Sequence, residues 1–152
     1  MRVHLVAFGK LRTQGLKETQ EYYEKLIRTW VDLKVHELKA LGSREEEADA
    51  LDTFFDRRLG SRARIYLLDE RGKSLPTSAW ADQVRSWESA SLTDLVFCIG
   101  GALGLHPRLQ SRASGLLSLG PQTTSHELAR ILLSEQLYRA WSVTRGHPYH
   151  NP

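Results

Sequence analysis

A single cysteine, Cys98, leaves this 152-residue chain without the partner that an intramolecular disulfide needs, and such usage suits a reducing compartment. No apolar run approaches the roughly 20 residues that span a bilayer, so no membrane partner is expected. The N-terminus enters a strand-like pattern at once, without the charged, apolar and small-residue zones of a signal peptide, and the cytoplasm is the expected location. Linkers, internal repeats and low-complexity segments are missing too, so one domain over residues 1–152 is expected. Metal-ligand spacing is also lacking. His147 and His150 stand three apart, but Pro148 breaks helical geometry between them and no further ligands follow, so no metal is expected. Two nucleotide signatures fail as well. Gly72-Lys73-Ser74 has Leu67 where a phosphate-binding loop needs its first glycine, and Gly100-Gly101-Ala102-Leu103-Gly104 lacks the dinucleotide spacing.

What is present is an ordinary globular composition, 41% apolar and 26% charged. The 21 basic and 18 acidic residues leave a formal charge of +3, which permits an anionic partner without demanding one. Val3 to Gly9 is a short apolar run that reads as a strand. Apolar groups from Leu16 to Trp30 follow a helical period. Val31, Leu33, Val35 and Leu38 alternate with polar residues as in a half-buried strand. Ser43 with Glu46 opens a helix through about Leu59 by a capping box. Arg64 to Leu68 reads as a buried strand, ended by Asp69-Glu70-Arg71-Gly72. Thr77 to Glu88 is a helix with Trp80, Val84 and Trp87 on one face. Leu95 to Ile99 is a buried strand, Pro107 to Ala113 a short helix and Leu116 to Leu119 a last strand. Thr124 with Glu127 is the expected cap of the C-terminal helix. Strands alternating with helices imply an α/β fold, a mostly parallel sheet flanked by helices on both faces. In such sheets ligands bind beyond the carboxyl ends of the strands, which directs attention to the loops after Leu68, Ile99 and Leu119.

Three segments carry possible chemistry. Gly100-Gly101 directly follows a buried strand and either makes a tight turn or lets a ligand approach the backbone. The segment Leu119-Gly120-Pro121-Gln122-Thr123-Thr124 is either a plain strand-to-helix connection or a source of backbone amides and carbonyls for a purine edge. Glu135 and Arg139 lie four apart on one helix face, near an apolar stripe of Leu128, Ile131, Leu132 and Tyr138. A carboxylate beside such a stripe usually has a partner or a task. Tyr149 and His150 close the chain among His147 and Arg145, either as a solvated tail or as part of a site.

In order, Leu67-Leu68-Asp69 with Gly72-Lys73, Ile99-Gly100-Gly101 with Gly104-Leu105, Leu117-Ser118-Leu119, His126, Glu135-Gln136, Tyr138-Arg139-Ala140-Trp141 and His147-Pro148-Tyr149-His150 form a recognisable series. With them the chain resembles, over essentially its full length, the ribosomal RNA large subunit methyltransferase H family of the SPOUT methyltransferases. The resemblance implies a C-terminal trefoil knot, a homodimer, and transfer of a methyl group from S-adenosylmethionine to N3 of pseudouridine 1915 (bacterial numbering). That nucleotide lies in helix 69 of 23S ribosomal RNA, and the family acts on assembled ribosomes. It further implies that Leu68, Gly100 and the loop Leu119 to Thr124 hold the cofactor, largely through backbone contacts, and that His126 heads the last helix.

For the chemistry, the resemblance points to Glu135, Arg139, Tyr149 and His150. Arg139 is expected to stabilise negative charge on the base, and Glu135 to orient Arg139 or take the proton itself. His150 is expected to accept the proton or touch the substrate, with Tyr149 stacking on or hydrogen-bonding a flipped-out nucleotide. Arg108, Arg112, Arg139 and Arg145 are expected to face RNA and the acidic helix Ser43 to Leu59 to face away, so that charge reversal at Arg112 weakens ribosome binding. Departures from the family pattern are Ala102-Leu103, where many members carry an acidic residue, and Gly120-Pro121-Gln122 with Ser125. Asn151-Pro152 also stands where a basic residue often follows the histidine. Rival readings are a SPOUT methyltransferase acting on transfer RNA or another rRNA position, and a ribosome-binding factor without catalysis.

Overall fold

The computed structural model describes residues 1–151, which leaves Pro152 and its part in the terminal departure outside the description. Strands β1 (Arg2–Phe8), β2 (Asp32–Leu38), β3 (Ala63–Ser74), β4 (Asp94–Ile99) and β5 (Gly115–Ser118) form one all-parallel sheet in the order β2-β1-β4-β3-β5. Helices α1 (Gln14–Ile27), α2 (Arg44–Arg58), α3 (Thr77–Ser89) and α4 (His126–Thr144) and a 3₁₀ segment, Pro107–Arg112, make the connections. The α/β reading with helices on both faces holds.

Strand side chains alternate between faces, and β4 shows what that does here. Leu95, Phe97 and Ile99 join Trp80, Val84 and Trp87 of α3 and Leu133, Leu137 and Trp141 of α4 in one core. Val96 and Cys98 point the other way, to Ala48, Leu51, Phe54 and Phe55 of α2 and to Leu109. All of β4 is buried, as expected of a central strand covered on both sides. Desolvation pushes the Cys98 thiol well above its ordinary range, so it packs as a small apolar group.

Four local expectations need correction. β3 does not stop at Leu68; it runs on to Ser74 through an irregularity after which Lys73 and Ser74 pair with Leu117 and Ser118. Gly72 permits this, because a Cβ there would lie 2.7 Å from Leu116 C and Leu117 N of the neighbouring strand. Asp69 to Gly72 themselves have no partner on β5: Leu68 and Lys73 both align with Leu117, so the segment bulges out before the strand resumes. The cap of α4 is Ser125, whose Oγ accepts the Leu128 N–H, and not Thr124. Glu127 instead accepts the backbone N–H of Arg12 at 2.6 Å and ties the β1–α1 turn to the head of α4. The apolar stripe on α4 is also displaced. Leu128 and Leu132 are each 45% exposed, whereas Leu133, Leu137, Ala140 and Trp141 are buried. α4 lies between α1 and α3, and its inner face includes Ser134, bonded to buried Gln20 of α1 at 3.0 Å. Polar residues on that face hide its periodicity. Trp30, expected inside the first helix, lies beyond its end and stacks on Tyr138 with centroids 4.8 Å apart.

At the amino edge of the sheet a polar chain stabilises the fold. Asp94 Oδ1 accepts from His4 Nε2 at 2.8 Å, and His4 Nδ1 faces His36 Nε2 at 3.0 Å. Burial opposes the charge of Asp94, yet hydrogen bonds from Gly60 and His4, with Arg2 nearby, hold its carboxyl below the ordinary value. Burial, with the charges of His4, Arg58 and Lys34, pushes His36 from 6.5 down to about 4. An unfolded chain takes up a proton at His36 below 6.5 that the folded chain refuses until about 4. Stability contributed by neutral His36 is therefore complete above 6.5 and is lost as pH falls toward 4. Urea midpoints measured from pH 7.5 to 4.5 should fall less steeply for His36→Gln than for the parent; equal slopes would remove His36 from the acid limb.

Candidate active site

The carboxyl halves of β3, β4 and β5 open into a cavity of about 590 Å³, within the range of small-molecule sites. Leu68 to Arg71 form one wall, Ile99 to Leu105 a second, and Leu119, Gly120, Gln122, Thr123 and Thr124 a third; His126, Ala129 and Leu132 of α4 close it. The three strand-end loops singled out in the sequence thus converge. Of the expected cofactor residues, Leu68, Gly100, Leu119, Gly120, Gln122, Thr123 and Thr124 line the cavity. Pro121 lies in the same loop but is not among the lining residues.

Backbone dominates these walls for identifiable reasons. A Cβ on Gly100 would stand 2.9 Å from Gly104 C and Leu105 N, so only glycine lets the loop fold back on itself there. Gly120 has φ +145°, a conformation that other residues rarely adopt, and its N–H and C=O are both engaged by Ser118 Oγ. Asp69 is saturated by Arg71, which bonds both carboxylate oxygens and holds the carboxyl below its usual value. Glu70 accepts from the Thr123 hydroxyl at 2.6 Å and joins two loops. That contact had no sequence signal, because the two residues meet only when β3 and β5 are neighbours.

The second constellation is formed by α4 and the tail. Glu135 Oε1 accepts from Arg139 through both Nε, at 3.0 Å, and Nη2, and from the Tyr149 hydroxyl at 3.0 Å. The Arg139 guanidinium lies 4.7 Å above the Tyr149 ring, and Arg139 Nη1 faces His150 Nδ1 at 3.4 Å. Tyr23 of α1 adds a hydroxyl contact to Tyr149 at 3.3 Å, a participant that the sequence did not reveal. Burial, with the hydrogen bonds to Tyr23 and Glu135, raises the Tyr149 phenol above its ordinary range, and Glu135 does the same for Arg139. Glu135, Arg139, Tyr149 and His150 are therefore brought together by one helix and a tail that turns back on it. They do not line the cavity. Arg139 is seven residues beyond Leu132 on the same helix, roughly 10 Å along its axis.

The expected separation of basic and acidic surfaces does not hold. Arg108 bonds Asp49 and Asp52, and Arg112 bonds Asp52 and Asp56, so α2 itself supplies the partners of both arginines. Arg145 is paired with Glu88 at 2.6 Å. Glu47 is buried rather than part of an outer acidic face. The reason is topological: the 3₁₀ segment packs on α2, so the arginines of one meet the carboxylates of the other. Among the described residues no cluster of three or more His, Cys, Asp or Glu is placed to hold a metal, and no helix is long and apolar enough to cross a membrane.

A family model described as "Predicted SPOUT methyltransferase" matches residues 1–150. Proteins named ribosomal RNA large subunit methyltransferase H from Burkholderia mallei, Burkholderia pseudomallei and Burkholderia thailandensis are 37% identical over 155 residues, covering 99% of this chain and 99% of each relative. The chain belongs to this family of SPOUT methyltransferases. In this SPOUT protein the backbone-walled cavity and the Glu135 cluster are therefore the two places to seek methyl-transfer chemistry. The fit at Gly100 gives a direct test of the first. Gly100→Ala should lower stability by about 1–3 kcal/mol through overpacking, read as a reduced denaturation midpoint. Gly101→Ala, whose nearest obstacle is Phe8 Cβ at 3.3 Å, should cost less. Equal midpoints for the parent and Gly100→Ala would show that the loop is free to move aside.

Proposed function

We propose that this protein is an S-adenosylmethionine-dependent methyltransferase that modifies N3 of pseudouridine 1915 in helix 69 of 23S ribosomal RNA on assembled ribosomes. The observation that carries the reading is a backbone-walled cavity at the strand ends, on the same helix as an arginine–carboxylate–tyrosine–histidine cluster, in a member of this family. The residues present fit the cofactor. Exposed backbone of the 119–124 loop suits a purine edge, Leu119, Ala129 and Leu132 give apolar contact, and the Gly100 turn leaves room no side chain could share. When bound, the cofactor supplies an electrophilic methyl group on a sulfonium.

The chain's own residues account for the rest. The loops at Leu68, Gly100 and Leu119 to Thr124 hold and orient, which matters because methyl transfer needs a near-linear approach. Arg139 carries the positive charge that offsets negative charge spreading onto the base carbonyls as N3 loses its proton. Glu135 Oε1 is fully occupied by Arg139 and Tyr149, whereas its Oε2 accepts no hydrogen bond among the described residues. That free oxygen is the proton acceptor in this reading. His150 serves differently: Arg139 can only donate, so His150 Nδ1 accepts from it and the Nε2 side of the ring is left to touch the substrate. Tyr149, held by Glu135 and Tyr23, braces Arg139 through its ring face.

A cytoplasmic homodimer completes the proposal, supported by Leu103, Leu128 and Leu132, large apolar side chains left 45–48% exposed around the cavity mouth. The trefoil knot belongs to it as well, supported by the return of α4 from the edge strand β5 to a seat between α1 and α3. Residues 1–152 acting as one domain is in keeping with the single sheet that all these elements cover.

Incubation with ribosomes lacking the modification and labelled S-adenosylmethionine, followed by nucleoside mass spectrometry, tests the reaction. N3-methylpseudouridine in the helix 69 fragment is expected. Label in transfer RNA or at another rRNA position would overturn the substrate, and failure to bind the cofactor would favour a ribosome-binding factor. Glu135→Gln, which keeps an acceptor for Arg139 but loses the base, should lower kcat by about 10²–10⁴ with little change in KM; a loss at His150→Ala that exceeds it would transfer the acceptor role. Leu128→Glu should shift the protein to monomer in sedimentation velocity, and an unchanged dimer would move the interface elsewhere.

A further inference from the structure

The arginines expected to meet RNA are engaged: Arg108 and Arg112 by α2, Arg145 by Glu88, and Arg139 by Glu135. A phosphate would have to displace a carboxylate at each. Where the chain leaves β1 the situation is reversed. Lys10, Arg12 and Lys17 fall within eight residues, and among the described residues none of them forms an ion pair. This turn stands at the carboxyl edge of the sheet. Ala7 pairs with Ile99, so the end of β1 lies beside the strand that leads into Gly100 and the candidate cofactor cavity.

Between the turn, α1, β2 and α4 lies a second cavity, of about 390 Å³, with Lys10, Lys17 and Arg130 in its wall. Arg130 is 3% exposed; its Nη1 donates to Glu37 at 2.9 Å and to Gly9 O at 3.3 Å, while its Nε–H is buried without an acceptor. A buried N–H of that kind calls for an acceptor. The carboxylates of the cavity are mostly committed, Glu24 to Arg28 and Gln20 and Glu37 to Arg130, which leaves Glu21 alone against two free lysines. Glu127, near Arg12, already accepts backbone hydrogen bonds from Arg12 and Thr13. That contact fixes the turn to α4, the helix carrying Glu135 and Arg139, so the free cations keep a set position relative to the reacting cluster.

We infer that the β1–α1 turn, with Lys10, Arg12 and Lys17 over the buried Arg130, is the surface that takes the phosphodiester backbone of the RNA substrate. The inference rests on the functional reading above and adds where the RNA backbone lies. Phosphate oxygens answer the exposed features as counter-charges for the lysines and as groups that RNA presents at regular intervals, and the buried Arg130 guanidinium beneath them adds to the positive field.

Ribosome binding across a potassium chloride series tests it, with the full chain and no cofactor. The double variant Lys10→Gln/Lys17→Gln is compared with Arg57→Gln/Arg58→Gln. The second pair removes the same charge from cations without ion pairs near the opposite edge of the sheet. Loss of two phosphate contacts should make the slope of log K against log salt shallower by about 1.5 for the lysine pair and leave it unchanged for the arginine pair. Affinity for S-adenosylmethionine should be the same in all three proteins. Equal slopes in all three, or equal flattening by both pairs, would overturn the inference. Wild-type protein that shows the expected slope pattern but transfers no methyl group would overturn the functional reading and leave this one standing. Active wild type with an unaltered lysine variant would do the reverse.

Discussion

The seat of α4 between α1 and α3 is the constraint on which the candidate site depends. Apolar packing of Leu133, Leu137, Ala140 and Trp141 supplies the bulk of that seat. Its rotation and height are set by polar contacts spread along the helix. Glu127 takes the Arg12 N–H, Arg130 reaches Gly9 and Glu37, Ser134 bonds Gln20, and Trp141 donates to Glu88 at 3.1 Å. Packing alone tolerates small slides of a helix over a sheet, whereas a set of directed bonds does not. One surface of the helix therefore closes the cavity through His126, Ala129 and Leu132, and a position two turns on presents Arg139.

Charge is organised by pairing more than by its total. A formal +3 spread over 21 cations says little. Once the ion pairs are drawn, the arginines of the 3₁₀ segment are matched by α2 and the tail arginine is bound. Among the described residues Lys10, Arg12 and Lys17 beside the second cavity stay without ion-pair partners, as do Arg57 and Arg58 at the far end of α2. Exposed pairs of this kind add little stability, about 0–1 kcal/mol each. They have a larger effect on which face remains positive.

The two edges of the sheet are built for different ends. At the amino edge Asp94, His4 and His36 form a satisfied polar chain against Phe54, a structural arrangement that stays intact while His36 is neutral. At the carboxyl edge glycines, open loops and exposed leucines are retained where a better-packed fold would have filled the space. Further along α4, Glu135 Oε2 and the buried Arg130 Nε are left without a hydrogen-bond partner among the described residues, the pattern expected where a ligand is to be accommodated.

How much was legible follows from the range of each interaction. Alternation in Leu95–Ile99, the Trp80–Val84–Trp87 face and the Ser43–Glu46 capping box depend on neighbours a few residues apart, and the sequence alone determined them together with the parallel α/β class. The strand-end loops and the Glu135–Arg139 pair were visible for the same reason, one through strand order and the other through helical spacing. Contacts between distant segments decided the remainder. Composition ends the strand at Asp69–Gly72, but Lys73 and Ser74 rejoin β5 after that bulge; Thr124 looks like a cap, but Ser125 is placed to serve; Leu128 and Leu132 look like core, but α1 and α3 bury the next face round. Arg108 and Arg112 meet partners 56 to 60 residues away, and Tyr23 meets Tyr149 across 126. No local pattern encodes such meetings, because the energy of each pair exists only after the sheet has brought the two segments within a few ångströms.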